Sequence, residues 1–107
     1  FLREGVYDNL DYALESANKF ATKIIVKDKA KYYLYLAISK NEDNLAMIKK
    51  IYNNNNLVVE TKNINNESFL TVLDQMENLL KKTSNNEEKL TIEKVILANY
   101  EELVLNN

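Results

Sequence analysis

The chain has 107 residues, 46% of them hydrophobic and 28% charged, which suits one domain with its own core. Its 14 basic and 16 acidic residues leave a formal charge of -2, so no electrostatic surplus draws the whole molecule to nucleic acid or to an anionic membrane. Cysteine and histidine are both absent, which removes disulfides, thiolate nucleophiles, zinc-thiolate sites and the commonest metal ligand together.

Proline is also absent, glycine occurs once, at Gly5, and asparagine is very frequent, with an uninterrupted run from Asn53 to Asn56. All-β domains need glycine and proline at their turns, so this composition predicts helices joined by asparagine-rich connections. In the first segment Leu2, Val6, Leu10, Leu14, Ala17, Phe20 or Ala21, and Ile24 recur at spacings of three and four, which predicts an amphipathic helix over 2–26. Glu4, Asp8 and Asp11 early, with Lys19, Lys23 and Lys27 late, follow the order that the helix dipole favours.

Asp28 is positioned to cap a new helix. In KYYLYLAI, residues 31–38, the alternation of Tyr33-Leu34-Tyr35-Leu36 reads as an accident inside a helix, because Leu34, Ile38, Leu45 and Ile48 carry a three-four rhythm onward. Residues 29–53 are therefore expected as one long helix or two shorter ones hinged near Asn41. The stretch 39–44 has the chemistry of a helix start. LVVE at 57–60 is expected as an extended apolar connection over one end of a bundle, the alternative being a short strand paired with 24–27. Asn66 caps a predicted helix from 67 to about 82, and a last helix follows from 87 to about 105. The expected fold is all-α: an antiparallel bundle of four to five helices in a single domain.

No constellation of catalytic residues emerges. The adjacent acids at 42–43, 87–88 and 101–102 diverge by about 100° on a helix, so they do not share a site. No glycine-rich phosphate loop or nucleophile elbow exists, and the basic residues are scattered, with Arg3 the single arginine. No cofactor, metal, nucleic acid or small-molecule substrate is expected, and an enzyme would need a cleft where Tyr, Lys and Glu converge. The last helix carries two apolar lines, Ile92-Ile96-Tyr100-Leu103 and Leu90-Leu97-Val104, and so needs either two packing neighbours or a core and a partner. On the helical reading Tyr32, Tyr35 and Leu36 share one side of theirs. These three, with Leu90, Leu97 and Val104, form the candidate patch for another protein or for a second copy of the chain.

A Lys-, Asn-, Leu- and Ile-rich chain without proline, cysteine or histidine resembles the helical ectodomains of spirochaetal outer-surface lipoproteins, and more faintly the small helical bacteriocin-immunity proteins. The first resemblance implies a lipid-tethered, surface-exposed binding protein of a low-GC bacterium's outer membrane. The second implies an intracellular bundle that neutralises a toxin or tunes a complex. No apolar run approaches the roughly 20 residues that cross a bilayer. The start at Phe1, with the apolar pattern already under way at Leu2, reads as a trimmed or mature chain whose leader or lipidated cysteine would lie upstream.

Overall fold

A strand buried on both faces organises the domain. The computed structural model describes residues 1–105, which form β1 (Leu2–Tyr7), α1 (Leu10–Ala17), β2 (Ile24–Asp28), β3 (Lys31–Ala37), α2 (Glu42–Tyr52), β4 (Val58–Val59), α3 (Glu67–Lys82) and α4 (Asn86–Leu105). The strands make one antiparallel sheet in the order β2-β3-β1-β4. The crossovers through α1 and α2 link strands running the same way, each skipping one neighbour, which is the split βαβ arrangement of ferredoxin-like folds.

The period of two in KYYLYLAI is therefore real. Leu34 and Leu36 point to one face and pack with Leu2, Ala17, Leu45, Ile48 and Leu57 under α1 and α2. Tyr35 points to the other, with partly buried Tyr33 beside it, and packs with Ile24, Val26, Phe69, Leu73, Ile96, Leu97 and Tyr100 under the α3–α4 hairpin. A strand covered on both faces has no polar side, so the usual apolar-polar alternation is missing and the run resembles a buried helix.

The all-α expectation is corrected accordingly. The predicted helix over 2–26 is instead β1, α1 and β2: a strand, an eight-residue helix and another strand. Its supposed stripe fails because α1 buries Ala13, Ser16 and Ala17, while Leu10 and Leu14 are 42% and 47% exposed. The predicted helical region 29–53 is a strand and a helix, and its rhythm from Leu34 to Ile48 joined side chains from both across a loop. At 57–60 the structure places a two-residue strand, and it pairs with β1, not with 24–27. The helix at 67–82 and the last helix, from Asn86, stand as expected, with Asn66 accepting from the Phe69 N–H as its cap.

Asparagine and lysine take the turn positions that glycine would ordinarily hold. Asn9 and Asn41 cap α1 and α2, and Asn53 ends α2 in the left-handed region at φ 51°. The β2–β3 hairpin turns through Lys29 and Ala30, with Lys29 at φ 58°. The one glycine lies at an irregularity of β1, where a Cβ at Gly5 would meet the Tyr7 ring at 3.1 Å. The α1–β2 connection is pinned by buried Thr22, whose hydroxyl donates to the Leu36 carbonyl at 2.7 Å and whose N–H donates to the Tyr52 hydroxyl at 2.8 Å.

Two stability outcomes follow from this architecture. Leu34→Ala, at a fully buried position of the central strand, is expected to lower stability by about 2–5 kcal/mol, read as a lower urea midpoint. Lys29→Gly is expected to raise it by about 1 kcal/mol, because glycine takes positive φ without steric cost.

Candidate functional site

The two ends of the sheet present different chemistry. At one end the β3–α2 loop, the segment after β4 and the start of α3 enclose a cavity of about 570 Å³, with Ser39, Lys40, Glu60, Lys62 and Asn65 among its lining. Beside it Glu60 draws a cluster together. Its Oε2 accepts from the Arg3 guanidinium at 2.7 Å and its Oε1 accepts from the Tyr35 hydroxyl at 3.2 Å. The Lys62 ammonium lies 4.6 Å from the centre of the Tyr35 ring, 5.2 Å from Phe1 and 5.7 Å from Tyr33.

Tyr, Lys and Glu thus converge at a cleft, as a catalytic site in this chain would require. The Tyr35 hydroxyl and the Glu60 carboxylate are bonded to each other, and the Lys62 ammonium faces aromatic rings. Burial, reinforced by the Glu60 charge, pushes the Tyr35 hydroxyl well above its ordinary range, so it remains a donor at neutral pH and cannot serve as a base. The Glu60 carboxylate is held by an arginine and a tyrosine, and the ammonium is held over aromatic faces. The cluster fixes the segment that follows β4.

Three carboxylates from the α3–α4 hairpin meet the segment just after β3. Glu77 Oε1 accepts from the Lys40 N–H and the Ser39 hydroxyl, both at 2.7 Å, and Lys40 also pairs with Asp74 at 2.8 Å. Glu93 is completely buried. Its Oε2 meets the Ile38 N–H at 3.4 Å, a long contact, and its Oε1 meets no donor among the described residues. Desolvation pushes its carboxyl up to about 8, with the Glu77 charge acting in the same direction and the Ile38 N–H against it.

The opposite flank is apolar and open. Leu10 and Leu14 lie one turn apart on α1 and form one wall of a groove of about 340 Å³, lined also by Ile25 of β2, Tyr32 of β3, Lys23, Lys27 and Glu101. Tyr12, 65% exposed, lies on the same short helix.

The sequence-derived patch is scattered by this fold. Tyr32 lines the groove, but Tyr35 and Leu36 are fully buried on opposite faces of the sheet, because neighbours on a strand point apart where a helix would have grouped them. Leu97 is buried under the hairpin, Leu90 packs against the α1/α2 core, and Val104 packs against the α3/α4 core. The three-four rhythm places Leu10 and Leu14 on a buried stripe and gives Ile25 no place in the predicted patch. Their signal was present in that Leu10 and Leu14 share a face that the short, alanine-lined buried side of α1 does not need. Among the described residues no group of three or more acidic side chains is placed to hold a metal ion, and no helix is long and apolar enough to cross a membrane.

Glu93 makes stability pH-dependent in a definite direction. In the unfolded chain its carboxyl titrates near the ordinary 4.5, whereas in the fold it holds its proton to about 8. Its contribution is fully present below 4.5 and is lost as pH rises through about 8, at up to roughly tenfold in the folding constant per pH unit. Urea unfolding between pH 5 and pH 8.5 is expected to show this decline in the native chain, and a clearly smaller one in Glu93→Gln.

Compared with protein families, curated proteins and solved structures, the chain matches none, so the reading of its function rests on its own geometry.

Proposed function

We propose that this chain is a non-catalytic protein-binding domain that docks through the groove between α1 and β2. The observation that carries the reading is the juxtaposition of half-exposed Leu10 and Leu14 with Ile25 and Tyr32, an apolar trough rimmed by Lys23, Lys27 and Glu101. Adjacent exposed leucines on one helix flank, facing a partly exposed tyrosine, form the kind of apolar patch with a polar rim that marks interaction surfaces. At the other end of the domain much of the charge is tied into the protein's own loops, as Glu60 is to Arg3 and Glu77 to Ser39 and Lys40.

Two settings suit such a domain: a surface protein held by an upstream lipid anchor, and a small immunity or regulatory protein acting within the cell. The helical-bundle architecture that both resemblances implied does not fit the sheet, so each setting stands on composition alone. An upstream lipidated cysteine favours the first and a plain initiator methionine the second.

The double variant Leu10→Lys/Leu14→Lys tests the groove, since both side chains are exposed enough to replace without opening the core. The expected result is at least about a tenfold weaker capture of the partner protein by the variant, with unchanged thermal stability and undiminished capture by Lys81→Ala on α3. Equal capture by all three forms sinks the reading. So does captured material whose binding survives protease treatment.

A further inference from the structure

The groove has a wall made of backbone as well as side chains. β2 is an outer strand, and no described element lies beyond it in the sheet, so along Ile24–Asp28 one row of N–H and C=O groups faces outward. Its side chains alternate. Ile24 and Val26 enter the core under α3 and α4, while Lys23, Ile25 and Lys27 lie along the groove, whose lining sets these two lysines against one carboxylate, Glu101 of α4. Neither lysine has a carboxylate in ion-pair reach among the described residues. The Lys23 ammonium donates to the Phe20 carbonyl, and the Lys27 ammonium lies 5.8 Å from the centre of the Tyr32 ring.

We infer that β2 accepts an extended acidic segment of a partner protein as a fifth strand, with side chains in the order acidic, any, apolar, any, acidic. This rests on the reading of the groove as the docking surface and names what docks. Strand addition draws affinity from the main-chain ladder and specificity from every second side chain. In an antiparallel ladder the incoming positions i, i+2 and i+4 stand opposite Lys27, Ile25 and Lys23. The two carboxylates then meet the two lysines, and the apolar residue between them drops against Leu10, Leu14, Ile25 and Tyr32.

A second copy of the chain is a poor occupant. Paired antiparallel through Ile25 it sets Lys23 opposite the copy's Lys27, and paired through Val26 it sets Lys23 opposite the copy's Lys29. Both registers oppose like charges, the device by which edge strands avoid self-pairing. The same lysines that repel a copy attract an acidic strand.

The test uses the whole chain, isotope-labelled, and a short synthetic peptide with valine at its centre, glutamate two residues to either side and threonine between. Expected are amide shifts centred on residues 24–28, and binding about tenfold weaker when the glutamates are replaced by lysines. A preference reversed in Lys23→Glu/Lys27→Glu is expected too. N-methylating alternate peptide residues, in both phases, is expected to abolish binding in one phase and spare it in the other. Three results overturn the inference: no binding at millimolar peptide, equal binding of acidic and basic peptides, or indifference to N-methylation in both phases. If the peptide fails while Leu10→Lys/Leu14→Lys still loses the partner, strand addition is wrong and the groove stands. If that variant keeps the partner, the groove reading has fallen as well.

Discussion

Everything in this domain depends on β3 having neighbours in all four lateral directions. It is flanked in the sheet by β1 and β2, covered on one face by α1 and α2, and covered on the other by the α3–α4 hairpin. A strand so enclosed cannot carry a charge along its middle, and from Leu34 to Ile38 every residue is buried. Of the polar groups that enter the interior, Thr22 donates to the Leu36 carbonyl, Ser16 donates to the Glu4 carboxylate, and Glu93 departs from ordinary chemistry with its raised carboxyl.

That enclosure also explains which parts of the fold were legible. The helices α3 and α4 and the caps at Asn41 and Asn66 follow from local rules, a dipole, a capping side chain and a three-four rhythm, and local rules survive in any tertiary setting. The sheet does not follow from local rules. Leu34 and Leu36 are apolar for one layer and Tyr33 and Tyr35 for another, so the pattern encodes two surroundings at once. Turn chemistry gave no correction, because Lys29, Asn53 and the asparagine caps perform the work for which glycine and proline are the usual signals.

The candidate site was legible in one residue, Tyr32, and obscured elsewhere by the same error of period. Grouping residues on a helix that is a strand brings Tyr35 and Leu36 together when they point apart, and running one stripe from Leu2 to Ile24 assigns Leu10 and Leu14 to a core that α1 meets with Ala13, Ser16 and Ala17. What marks the groove is a mismatch between supply and demand. A short helix that buries alanine and serine still carries two leucines and a tyrosine on its outer sides.

Glu60 has a consequence for how the sheet is closed. The ladder between β1 and β4 has two residue pairs, Leu2 with Val59 and Arg3 with Val58, and it joins positions 57 and 55 residues apart. Phe1 and Glu60 extend it by exchanging backbone hydrogen bonds of 2.9 and 2.8 Å, and the Glu60 side chain adds the bonds from Arg3 and Tyr35. Because loop-closure entropy grows with the logarithm of length, by about 0.6 kcal/mol per doubling, such a long excursion costs little more than the shorter one from β1 to β3. One well-anchored residue is therefore enough to fasten the far edge of the sheet. Within the residues between, a change of length in the turns around α1 leaves that fastening intact, whereas β3, which carries Tyr35 to Glu60, has no such latitude.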